Sequence, residues 1–112
     1  MSTSFSARNR ARCESPTGFN HRLDSWNLSD WGVAVAGETG EMCNVIKKLN
    51  RYRDGIGGNT KTREELIEDL KKEIGDIAVY LDLLAQAIGC DLEALREDAF
   101  QSKSQAIGYK EA

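Results

Sequence analysis

Residues 63–89 read REELIEDLKKEIGDIAVYLDLLAQAIG, and the spacing of the apolar side chains in this stretch decides the fold class. Apolar residues recur in steps of three and four, which is the period of one face of an α-helix. They are Leu66, Leu70, Ile74, Ile77, Leu81, Leu84 and Ile88. Thr62 and Glu65 form a capping-box pattern, and Gly89 stands where a left-handed residue ends a helix. We therefore predict a helix from about Arg63 to Ile88.

A second long helical pattern precedes this one in the chain. It runs from about Leu28 to about Arg53, and either Asn27 or Ser29 is suited to be its N-cap. Its apolar positions are Trp31, Val35, Met42, Val45, Ile46 and Leu49. The glycine-rich segment 54–59 that follows lacks the Lys-Ser/Thr ending of a P-loop, so we interpret it as a helix–helix connection.

The two ends of the chain are also predicted to be helical or irregular. Residues 1–20 are expected to form a peripheral arm or a short helix, and a last helix begins after the N-cap Asp91 and continues toward Ala106. No segment shows the sustained alternation of a strand. The fold class is therefore predicted to be all-α, and 112 residues suit a single domain, 1–112, because two halves would each be too small to bury a core.

Composition excludes several classes of function. A net charge of -3 gives no electrostatic reason to expect a nucleic-acid or anionic-membrane partner. No apolar run is long enough for a transmembrane helix, and the absence of a signal-peptide pattern predicts a cytoplasmic protein. One histidine and three widely spaced cysteines do not fit a zinc site or a disulfide framework.

Acidic residues occupy core-facing positions on the first long helix. On a helical wheel Glu38 lies within roughly 40° of Trp31 and Val45, in the middle of the apolar stripe. Glu41 lies one turn further on, at the edge of that stripe.

The second long helix shows the same feature. Glu73 lies about 20° from Leu66 and Leu84, and Asp76 lies at the border of the stripe. The opposite face, around Glu68 and Gln86, is predicted to point to solvent. Neither stripe places a basic residue among the acids.

An ionised carboxylate is costly to bury unless a cation pairs with it or its pKa rises. We therefore predict a site for one to three Mg²⁺ ions, for which Mn²⁺ is an expected substitute, because such ions prefer oxygen ligands.

A single Glu-x-x-Glu pair is common on solvated helices, so this prediction depends on having two pairs on two apolar stripes. The pairs stand in WGVAVAGETGE (31–41) and EIGDIAVYLDLL (73–84) and are separated by 31 residues. In these motifs the chain resembles the MazG family of nucleoside triphosphate pyrophosphohydrolases. The resemblance extends over roughly residues 24–109.

The resemblance implies a MazG-like helical bundle with two long antiparallel helices, whose core is completed by oligomerisation as a homodimer or homotetramer. It implies Mg²⁺-dependent hydrolysis of a (d)NTP to the nucleoside monophosphate and pyrophosphate, and a role in removing unwanted nucleotides. It also implies that the metal ligands are Glu38, Glu41, Glu73 and Asp76.

We assign further candidate site residues from the chemistry of their side chains. Glu38 has the most apolar setting, which raises a carboxyl pKa toward neutrality, so we assign it as the catalytic base. Trp26 is the better candidate for stacking on a base, whereas Trp31 is expected to pack in the core. Possible phosphate contacts, each otherwise an ordinary solvated residue, are Lys48, Arg51 and Lys103.

Two alternatives remain open on the sequence. One is a non-catalytic helical interaction module that binds a partner helix through the same apolar stripes. The other is a phosphohydrolase of another pyrophosphate-containing metabolite, such as one linked to phosphoribosyl pyrophosphate.

Overall fold

The computed structural model describes residues 4–112, and within that range every regular element is helical. The α-helices are α1 (Phe5–Glu14), α2 (Leu28–Asp54), α3 (Arg63–Ala87) and α4 (Leu92–Ile107), and a short 3-10 helix covers Leu23–Ser25. The predicted all-α fold class is confirmed, and the three long helices begin and end within about one residue of their predicted bounds. None of the helices in the described range is long and apolar enough to cross a lipid bilayer.

The hydrogen bonds at the N-terminus of α2 identify which of the two candidate residues is its N-cap. The Asn27 side chain accepts a hydrogen bond from the Asp30 backbone N–H at 3.0 Å, and the Asp30 carboxylate accepts one from the Asn27 backbone N–H at 3.0 Å. This reciprocal pair is a capping box, so Asn27 and not Ser29 is the N-cap.

The other predicted helix ends are also as expected. The Thr62 hydroxyl accepts from the Glu65 backbone N–H, and the Glu65 carboxylate accepts from the Thr62 backbone N–H. Asp91 caps α4 by accepting from the Ala94 backbone N–H at 3.1 Å. Gly89 has a φ of +74°, a left-handed conformation that glycine adopts without strain.

The chain forms two compact units. Unit 1 contains the residues up to Ser25 together with Asp82–Ala112, and unit 2 is Trp26–Leu81. The long helix α3 contributes its first part to unit 2 and its last residues to unit 1. The prediction of a single domain over 1–112 stays a prediction.

In unit 2, α2 and the first part of α3 run antiparallel. Glu38 lies beside Asp76, near the end of the α3 part of this unit. Lys48, further along α2, lines a pocket together with Leu66, near the start of α3. Residue numbers therefore rise along α2 as they fall along α3. The buried apolar side chains of this unit are Trp31, Val45 and Leu66.

Part of the predicted apolar stripe is not covered. Ile46 on α2 and Ile74 and Leu81 on α3 are exposed, and so is Ile88 beyond the end of α3. The stripe on each long helix is therefore wider than the surface that its neighbours within the chain cover. A broad apolar stripe marks a face that favours burial, but it does not show which part of that face finds a partner.

Of the predicted N-terminal arm or short helix, residues 1–3 lie outside the described residues, and Phe5–Glu14 form the short helix α1 of unit 1. Residues Asn9 and Cys13 of α1 are buried. The carboxylate of Asp82, which is 2% exposed, accepts hydrogen bonds from the Ser6 hydroxyl and from the amide groups of Asn9 and Gln86, the latter two at 2.9 Å. The prediction that the face around Glu68 and Gln86 points to solvent is therefore confirmed at Glu68, whose side chain is 71% exposed, and wrong at Gln86, where this face binds α1.

We expect Asp82→Ala to destabilise unit 1 by about 3 kcal/mol, because one buried and two half-buried donors lose their shared charged acceptor. The measurement is the free energy of unfolding in urea, followed by circular dichroism. Asp98→Ala, at an exposed position of α4, is the matched control and should change stability by no more than about 0.5 kcal/mol. Equal effects of the two substitutions would show that the Asp82 contacts do not stabilise the fold.

Candidate metal centre

Three carboxylates converge between the two long helices of unit 2. Glu38, Glu73 and Asp76 each offer one oxygen, and the three oxygens lie within 4.8 Å of one another. α2 supplies the first of these residues, and α3 presents the other two on successive turns. All three side chains are half-buried. On a helical wheel, Glu38 and Glu73 are predicted to lie on the core-facing sides of their helices, and this arrangement agrees with that prediction.

Two of the carboxylate oxygens are buried without a hydrogen-bond donor. They are Oε2 of Glu38 and Oε2 of Glu73. Burial raises the pKa of Glu38 from 4.5 to about 7, and the negative charges of Glu41, Glu73 and Asp76 add to the increase. The cluster therefore lacks positive charge at its buried side, and burial together with the neighbouring acids favours the protonated form of Glu38.

A basic residue does reach one of the acids, which the sequence analysis did not expect. Nζ of Lys72 lies 3.0 Å from Oδ2 of Asp76, and the Asp76 carboxylate raises the pKa of Lys72. The two residues are four apart on α3, so the flexible lysine stem can bring its charge toward the cluster although its Cα lies off the apolar stripe. The Lys72 side chain is 71% exposed, so this ion pair contributes little to stability.

Glu41, the fourth predicted ligand, differs from the other three. Its side chain is exposed, and its oxygens are not among the three that converge. Its charge nevertheless acts on Glu38. This position agrees with its predicted location at the edge of the apolar stripe. The structure therefore brings three of the four predicted ligands together and leaves Glu41 beside them.

The aromatic candidate Trp26 packs against the core. Its ring centroid lies 4.5 Å from that of Trp31 at an interplanar angle of 54°. Trp31 is fully buried, as expected for a packing residue. Trp26 is half-buried, so part of its ring remains accessible.

The basic candidates lie in two different places. Lys48 and Arg51 line one small pocket of unit 2, at the end of the helix pair away from the acids. Lys103 belongs to unit 1, where it borders an apolar depression lined by Phe100 and Tyr109. Lys48 and Arg51 therefore share one basic pocket, which could not be predicted from their separate assignment as phosphate contacts.

Comparisons with known proteins leave the family open. No protein-family model matches the chain, and no solved structure matches it. The "Gene 37 protein" of Mycobacterium phage L5 is 34% identical over 61 residues, which is 54% of this chain. The match spans about half of the phage protein, 49% of its length, and the name of that protein states no activity.

The raised pKa of Glu38 predicts a pH dependence of stability in the metal-free protein. Because the folded state holds a proton that the unfolded chain releases near pH 4.5, the contribution of Glu38 to stability is complete below pH 4.5 and is lost as the pH rises to about 7. We expect a loss on the order of 1–2 kcal/mol after solvent screening. The measurement is the free energy of unfolding in urea and chelator across this range.

Glu38→Gln should abolish most of this pH-dependent loss, because glutamine does not titrate. Glu68→Gln, which removes an exposed carboxylate of α3, is the control and should keep the wild-type slope. A Glu38→Gln variant with the full wild-type slope would place the titration at another group.

Proposed function

We propose that the chain is a Mg²⁺-dependent pyrophosphohydrolase that converts a (d)NTP to the nucleoside monophosphate and pyrophosphate, and that removes unwanted nucleotides. The observation that carries this proposal is the convergence of Glu38, Glu73 and Asp76 with two buried oxygens that lack donors. A hard divalent cation satisfies such oxygens directly. The resemblance of the two acidic motifs to those of the MazG family supports the choice of reaction.

The three converging residues are suited to hold the cation, and Glu41 is available at the rim. When bound, Mg²⁺ supplies charge neutralisation for phosphate oxygens and lowers the pKa of a coordinated water. Glu38 is the group proposed to accept a proton from the attacking water, since its surroundings raise its pKa toward neutrality. Glu73 and Asp76, on successive turns of α3, keep Glu38 in a strongly negative environment. Trp26 has an accessible part of its ring that is proposed to contact the nucleobase.

The activity test is a panel of (d)NTPs incubated with Mg²⁺ and analysed for both products. We expect pyrophosphate and the nucleoside monophosphate to appear in equal amounts, and Glu38→Gln to lower kcat by about 100-fold or more. Glu68→Gln removes an equally charged but distant carboxylate and should leave kcat unchanged. Absence of turnover with every nucleotide, or orthophosphate as the product, would contradict the proposal.

A second experiment separates this function from the alternatives. Mg²⁺ should raise the melting temperature of the wild type, because a ligand that binds only the folded state stabilises it. Glu73→Gln should remove that increase. A non-catalytic interaction module would show no such increase. A hydrolase of another pyrophosphate-containing metabolite would show the increase without turnover of any (d)NTP.

We further propose that a second copy of the chain covers the exposed apolar strip beside the acids, in a homodimer or a larger homo-oligomer. On α2 the strip lies roughly 40–80° from Glu38, and on α3 it lies roughly 40–100° from Glu73. Its half-buried or exposed members are Leu28, Val35, Met42, Ile46, Leu70, Ile74, Ile77 and Leu81. A symmetric dimer can bury the same strip on both copies. The exposed strip is also the feature that favours the interaction-module alternative.

Light scattering after size exclusion tests the oligomer. We expect Ile74→Glu to shift the protein to the monomer, because it places a charge within the strip. Val33→Glu is the matched control, since Val33 is 72% exposed and lies on another face of α2, about 220° from Glu38. A wild type that is monomeric at all concentrations would contradict the oligomer without affecting the metal site.

A further inference from the structure

A small basic pocket lies at the end of unit 2 away from the acidic cluster. α2 supplies Lys48 and Arg51, the connecting loop supplies Asn59, Thr60 and Lys61, and buried Leu66 of α3 also lines the pocket. Its volume is about 80 Å³. One water needs about 10–15 Å³ of such volume, so the pocket has room for a group of about five heavy atoms, the size of a phosphate.

The pocket carries more positive charge than the described groups around it neutralise. Lys61 is paired with Asp69, Nζ to Oδ2 at 2.6 Å. Over residues 4–112, no carboxylate lies within ion-pair distance of Lys48 or Arg51. The segment 47–63 contains six basic residues and one acidic residue, although the chain as a whole has a net charge of -3. Four acidic residues of α3 follow this segment directly, namely Glu64, Glu65, Glu68 and Asp69, so the excess of positive charge belongs to the end of α2 and to the connecting loop.

Specific contacts hold the loop over the two cations. The Asn59 side chain donates to the Lys48 backbone carbonyl at 2.8 Å and accepts from Nη1 of Arg51 at 3.4 Å. The Tyr52 hydroxyl donates to the Lys61 backbone carbonyl. Gly58 has a φ of +108°, a conformation that glycine adopts readily and that lets the loop turn here. The pocket is thus a built feature and not a chance grouping of surface lysines.

The helix dipole explains only part of this arrangement. Cations are favourable near a helix C-terminus, but the effect is confined to about the last turn. Arg51 lies in that turn of α2, whereas Lys48 lies six residues before the final helical residue, Asp54. The dipole also gives no reason for a loop to close over the two side chains.

We propose that this pocket binds a single phosphoryl group, and that it is a site separate from the acidic cluster. Lys48 and Arg51 supply the positive charge, and the polar groups of Asn59 and Thr60 lie on the loop side. Lys48 is ten residues from Glu38 on the same helix, or about 15 Å along its axis. One phosphoryl group cannot contact both places, so binding here does not require the proposed metal-dependent function.

The test is an NMR titration of the metal-free protein in chelator, with sodium chloride at matched ionic strength as the reference. Orthophosphate is the first probe. Pyrophosphate and a nucleoside monophosphate then distinguish a free anion from the phosphate of a larger ligand. We expect saturable shifts of the backbone signals of residues 58–61, whichever of these compounds binds most tightly.

Lys48→Gln removes one charge but keeps most of the side-chain stem, and we expect it to weaken binding about tenfold. Lys47→Gln is the matched control, because Lys47 is the exposed neighbour on α2 and does not line the pocket. It should change affinity by less than about twofold. Glu38→Gln should leave binding unchanged. The spectrum of each variant reports its folding directly.

Three results would overturn the proposal. The first is the absence of saturable shifts in residues 58–61 with all three probes. The second is an equal loss of affinity in Lys47→Gln and Lys48→Gln, which would indicate diffuse attraction of anions to a basic surface. The third is a set of saturable shifts confined to the backbone signals around Glu38 and Asp76, which would place the anion at the acidic cluster.

Discussion

The arrangement of unit 2 is constrained by carboxylate oxygens that are buried between two helices without donors. Oε2 of Glu38 and Oε2 of Glu73 are in this position, and burial without a partner is unfavourable for an ionised carboxylate by several kcal/mol. Such a group must bind a proton or a cation. In the metal-free chain the raised pKa of Glu38 favours a bound proton. In the proposed metal site a cation would take the place of that proton.

Local patterns in the sequence were sufficient to predict the ends of the long helices and the core-facing positions of Glu38 and Glu73. Asn27, Thr62 and Asp91 cap helices through residues at most three positions away, so their roles are readable from short patterns. The position of Glu38 and Glu73 follows from helical periodicity alone. These are the features that depend on nearest neighbours in the chain.

Features that depend on distant residues could not be predicted in the same way. Asp82 is bound by Ser6 and Asn9, which are more than seventy positions away in the sequence. On a helical wheel Asp82 lies opposite Glu73. In a simple amphipathic helix this side faces solvent. The exposed Ile74 is the converse case, because periodicity cannot say whether a core-facing position finds a partner within the same chain. Asn59 closes the basic pocket from a loop, where no periodic pattern exists.

The charges around the acidic cluster are compatible with the divalent cation that we propose for this site. In the metal-free chain, the ammonium of Lys72 pairs with Asp76, and the raised pKa of Glu38 favours a bound proton. Together these supply up to two positive charges, the charge of one Mg²⁺ ion. Both are replaceable, because the lysine stem is exposed and flexible and the proton is held only up to about neutral pH. The chain can therefore stay folded without the cation and still release both charges when a dication binds, which makes binding favourable as the pH rises through the pKa of Glu38.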